Sequence, residues 1–87
     1  MITIKHIDIF KKYGCDSDGF ARCATPEEKI FMDYNSWSLI YNLVQDLYLI
    51  EKGIASVSFI ESTNQKLIEN CENIETTQNL KEIMQSK

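Results

Sequence analysis

The stretch from Trp37 to Ile50 reads as a helix that is apolar around most of its circumference. Ile30, Tyr34, Trp37, Tyr41, Val44 and Tyr48 follow one another at alternating spacings of four and three. Ile40, Leu43, Leu47, Ile50 and Ile54 form a second row beside them, and the polar remainder is a narrow stripe of Ser38, Asn42, Gln45 and Asp46. An ordinary surface helix hides an apolar stripe of roughly 100° or a little more. This one needs cover on two sides. Either both rows are buried within one chain, or one row faces the core and the other a partner. Tyrosine and tryptophan favour the second arrangement, because each joins a large apolar area to a polar tip. Burial of both rows within one chain is the first expectation, and Tyr34, Trp37, Tyr41 and Tyr48 are the interface candidates on the second.

Local punctuation places this helix among others. Ile4, Ile7, Phe10 and Tyr13 recur at intervals of three, and Thr3 and Gly14 stand where an N-cap and a left-handed C′ residue belong. The spacing predicts a helix over Ile4–Tyr13. The alternating Ile2-Thr3-Ile4-Lys5 keeps a strand over 2–10 as the alternative. Cys15–Ala24, rich in Asp16, Ser17, Asp18 and Gly19, is expected to be a loop. Thr25-Pro26-Glu27-Glu28 spells a helix start, with Thr25 as N-cap, Pro26 at N1 and Glu28 closing a capping box. Asp33-Tyr34-Asn35-Ser36 predicts a break, followed by a helix from Ser36 to Lys52 with Gly53 beyond it. The alternative is one unbroken helix over 26–52, roughly 40 Å long at the standard rise.

Downstream, Ser58-Phe59-Ile60-Glu61 is a second capping-box candidate and Ser56 its rival. Val57, Ile60, Leu67, Ile68 and Cys71 are expected to share one face, with Asn64 in the same seam. A last helix over Ile74–Gln85 takes Asn73 or Thr76 as cap, with Glu75 early and Lys81 and Lys87 late to suit its dipole.

Charge and chemistry narrow the function. The 87 residues carry a net charge of -4, which argues against nucleic acid as the partner. From Gln45 onward four lysines face seven acids. Glu69, Glu72 and Glu75 recur at intervals of three, either as a solvated face or as an acidic patch that steers a basic partner. Three cysteines, Cys15, Cys23 and Cys71, are an odd and scattered set, as expected of reduced thiols in the cytoplasm. Met1–Lys12 lacks the unbroken apolar run of a secretion signal, and no apolar run approaches the roughly 20 residues of a membrane span. Asp16-Ser17-Asp18-Gly19 fails as a calcium loop, since aligning Gly19 puts Gly14 and Thr25 at the first and last ligand positions. His6 is the single histidine, with no nucleophile tied to it by spacing. No glycine-rich phosphate loop and no zinc spacing is present.

The expectation is an all-α single domain over 1–87, a compact bundle of four to five short helices around one long central apolar helix. It is expected to be non-enzymatic, without metal or cofactor, and to act by protein–protein interaction as a homodimer. An acidic inhibitor of the immunity or antitoxin kind, binding a basic enzyme, is the alternative. Neither nucleic acid nor membrane is an expected partner.

Overall fold

The computed structural model describes residues 1–14 and 16–85. Cys15 and Lys87, both named above, lie outside the described residues. Six helices follow one another: α1 (Ile4–Tyr13), α2 (Ser17–Cys23), α3 (Pro26–Phe31), α4 (Tyr34–Glu51), α5 (Val57–Asn70) and α6 (Ile74–Gln85). The all-α class is correct, and α4 is the longest helix.

The start of α1 combines both readings of the first segment. Ile2 alone behaves as a strand residue. It bridges in parallel to Cys71, its N–H donating to the Asn70 carbonyl at 2.6 Å and its carbonyl accepting from Glu72 N–H at 2.9 Å. The chain then turns helical at once, so a strand over 2–10 is excluded. Thr3 Oγ1 accepts the His6 N–H at 3.4 Å, and the His6 ring Nδ1 accepts the Thr3 N–H at 3.0 Å. His6 thus performs the reciprocal half of a capping box usually given to Glu or Gln. Burial holds this imidazole below its ordinary pKa, in keeping with a ring nitrogen that must stay unprotonated to accept.

The predicted loop over 15–24 is corrected to a helix from Ser17 onward. Its turn-forming residues act as cap and first turn: the Asp16 carboxylate accepts the Asp18 N–H at 3.0 Å. Phe20 anchors α2 in the core, edge-on to Tyr13 at 5.6 Å. Seven residues would not hold a helix alone. Tertiary burial of one aromatic ring supplies what local propensity lacks.

The capping box of α3 forms as expected, with Thr25 N–H donating to Glu28 Oε1 at 2.9 Å and Glu28 N–H to Thr25 Oγ1 at 3.1 Å. Glu28 also accepts the Tyr13 hydroxyl at 2.6 Å and the Lys12 ammonium at 3.2 Å. One carboxylate therefore ties α1 to α3. The Tyr13 hydroxyl, then the Thr25 N–H and Lys12, draw its pKa from the usual 4.5 down to about 2. A carboxylate with a depressed folded pKa stabilises the fold above its unfolded pKa, and that stability is lost as pH falls through the folded value. Glu28→Gln is accordingly expected to lower the thermal midpoint at neutral pH. Its deficit against the parent should shrink as pH drops from about 4.5 to about 2. Melting both proteins across that range checks the prediction, and a constant deficit would contradict it.

The chain breaks after α3 at Met32–Asp33, which rules out the unbroken helix over 26–52. Asp33 caps α4 by accepting the Ser36 N–H at 2.8 Å, so α4 begins at Tyr34 rather than Ser36. Gly53 adopts φ 74° at its other end, the left-handed conformation that ends helices. Ser56, not Ser58, caps α5, accepting the Phe59 N–H at 3.1 Å. The buried side of α5 is rotated from the expected face: Thr63, Leu67 and the following Cys71 are buried, whereas Val57, Asn64 and Ile68 are exposed. Asn73 caps α6, its Oδ1 accepting from both the N–H and the hydroxyl of buried Thr76 at 2.9 and 3.0 Å.

α4 packs against α1, α5 and α6. Both of its apolar rows enter the core: Trp37 and Val44 from the first, Ile40, Leu43 and Leu47 from the second. Phe10 and Ile7 of α1 and Leu80, Ile83 and Met84 of α6 belong to the same cluster.

Candidate functional site

The aromatic row divides along its length. Trp37 is 5% exposed and Tyr41 half-buried, while Tyr34 is 70% exposed and Ile30 84%. Trp37 stacks on Tyr41 with ring centres 5.4 Å apart and planes 15° from parallel, and Tyr34 lies along the other side at 6.5 Å and 21°. Phe10 meets the indole at 5.5 Å. The middle of the expected interface is therefore covered from within the chain. Its two ends, Tyr34 and Tyr48, remain at the surface, and the Lys52 ammonium lies 5.4 Å from the Tyr48 ring centre.

Tyr34 opens onto a cleft of about 510 Å³ between α2, α3 and the start of α4. Phe20, Met32, Tyr34 and Trp37 give it apolar walls, and Asp18, Lys29 and Asp33 supply charge. The Trp37 indole N–H is buried with no hydrogen-bond partner among the described residues. Beside this corner, Phe31 is partly exposed. Its ring packs on His6 at 4.4 Å and has the Lys5 ammonium 4.3 Å from its centre. Sequence reasoning missed Phe20, Phe31 and Met32. Phe20 lies within α2 and Met32 follows α3, helices too short for periodicity to develop, and the only local signal was the capping box at Thr25 that starts α3.

The acidic residues lie elsewhere. Glu69 ends α5, Glu72 sits in the turn after it, and Glu75 opens α6; all three are exposed. Glu69 accepts the Gln65 amide at 2.9 Å. Between α5 and α6 runs a second groove, of about 420 Å³, bordered by Asn64, Leu67, Ile68, Ile74, Gln78 and Lys81.

His6 and Cys71 are engaged structurally. His6 is held in its capping box. Cys71 is buried, which pushes its thiol pKa up, and Cys23 is an exposed free thiol. Among the described residues, no three His, Cys, Asp or Glu side chains are placed to hold one metal ion. No helix among them is long and apolar enough to cross a membrane. No family model, curated protein or solved structure matches this chain.

Proposed function

We propose that this chain is a small non-enzymatic protein of the reducing cytoplasm that acts by protein–protein interaction, and that it pairs with a second copy of itself through the α3–α4 corner. The observation that carries this reading is an apolar cleft with exposed Tyr34 in its lining, at a corner where α3 also leaves Ile30 uncovered. Ala21, Phe20 and Trp37 line the concave side, and Tyr34 is a large ring with a polar tip at its edge. Such anchors dominate binding energy where they fill a partner's pocket.

A twofold interface needs a patch that complements itself. This corner carries both the projecting and the receiving half, and Lys29 lies in it together with Asp18 and Asp33. One copy's cation then faces the other's acids. The roles for Trp37 and Tyr41 change accordingly: Trp37 is the wall of the cleft and Tyr41 its backing, and Tyr48 lies outside this contact.

Sedimentation over a concentration series tests the pairing. The expected result is a species of twice 10.1 kDa that survives high salt. A mass of one chain at every concentration would overturn it. The second reading, an acidic module that neutralises a basic partner, is favoured by a different part of the surface.

A further inference from the structure

We propose that the groove between α5 and α6 is a docking site for a basic amphipathic helix of another protein. This site is separate from the self-pairing corner and does not depend on it.

Three observations carry the proposal. First, Ile68 and Ile74, on opposite sides of the groove, are 75% and 80% exposed, with buried Leu67 below them. Branched aliphatic side chains facing each other across a concave surface suit the anchor residues of a helix, which recur at i, i+3, i+4 and i+7. Secondly, α5 and α6 pack more on α4 than on each other, which leaves room for a third helix over the groove. Thirdly, the two helices that form the groove, with the turn between them, expose more acid than base. Glu61, Glu69, Glu72, Glu75 and Glu82 are exposed, and among the described residues none of them is in an ion pair. Of the two lysines on these helices, Lys66 pairs with Asp46 at 3.6 Å, leaving Lys81 as the groove's cation. Unneutralised acids on the helices that border an apolar seam favour lysine- and arginine-flanked ligands and speed their approach.

A second copy of this chain does not supply that ligand. Its most basic helix, α1, exposes Lys5, Lys11 and Lys12 but holds Ile7, Ile9 and Phe10 in its own core. The apolar half of an amphipathic helix is therefore not available from α1 without unfolding, and the occupant is a different protein.

The probe is a synthetic helical peptide with leucines at i, i+3 and i+7 spacing and lysines on its other face. Its controls carry glutamates for the lysines, or the same composition with the leucines scattered. Binding is read by fluorescence anisotropy and mapped by amide chemical shifts. Saturable binding of the first peptide alone is expected, with shifts centred on Ile68, Ile74 and Thr77. Ile68→Asp and Ile74→Asp should each weaken it about tenfold. Both sites are exposed, so melting curves should stay close to the parent's, and Ile68→Ala provides a milder variant. Glu72→Lys and Glu75→Lys should slow association at low salt, the difference fading toward about 1 M salt, where screening acts within about 3 Å. The proposal is overturned by absence of saturable binding, by equal binding of either control, by shifts centred on the α3–α4 corner, or by Asp variants that bind as the parent does. A chain that is monomeric yet binds the peptide at this groove would refute the self-pairing alone.

Discussion

Replacing Phe10 by alanine is expected to remove about 3–5 kcal/mol of stability. Phe10 is fully buried and touches the Trp37 ring at 5.5 Å. It stands where α1 meets α4, and α1 also packs on α6. The loss has two parts: the apolar area returned to water on unfolding, and the cavity left among side chains fixed by three helices. Domains are held by only about 5–15 kcal/mol, and small ones bury a smaller share of their surface. The variant should therefore lose most of its cooperative urea transition, or show a much lower midpoint. A loss under about 1 kcal/mol would mean that Phe10 is not part of the packed centre, since buried aromatic truncations do not cost so little.

The second large effect concerns association rather than folding. Ile30→Glu combined with Tyr34→Ala is expected to weaken self-pairing by about 2 kcal/mol or more, roughly 30-fold, as for anchor residues at other interfaces. Both side chains are largely exposed, so the monomer's fold should be unaffected. Trp37→Ala supplies the contrast within the same row. It empties a buried site beside Phe10 and Tyr41 and should unfold the chain. Sedimentation and circular dichroism, run on both variants, separate the two roles. If the double variant pairs as well as the parent, the corner is not the contact.

The helix termini were legible in the sequence because capping is local. Thr3, Thr25 and Asn73 reach only three residues along the chain, and Gly53 needs only its own backbone freedom to end α4. α2 was not legible for the same reason. Asp16 and Asp18 serve a turn and a helix cap equally well, and what decides between them is Phe20 packing against Tyr13, which is contributed by another helix. The face of α5 was misjudged because hydrophobicity alone ranked Val57 and Ile68 above Thr63. Burial follows the side that meets α4, and that side presents Thr63.

The aromatic row of α4 shows where periodicity stops informing. Spacing required cover over both rows, and the chain covers their middle while leaving Ile30, Tyr34 and Ile54 exposed. Spacing was silent on who provides the cover, which depends on Phe10 of α1 and on how α6 lies. The break at Met32–Asp33 also removed Ile30 from the α4 helix and left it exposed on α3, a consequence of chain direction rather than of composition. Glu69, Glu72 and Glu75 are exposed, but the groove between α5 and α6 arises only from the way the two helices rest on α4.

Isotope-filtered nuclear Overhauser measurements on a mixture of labelled and unlabelled chains test the central claim most directly. Contacts between chains are expected from the Tyr34 ring of one copy to the Ala21 methyl and Phe20 ring of the other, with none from Tyr48. Absence of contacts between chains at concentrations where pairs should form, or their appearance around Tyr48 and Lys52 instead, would contradict it.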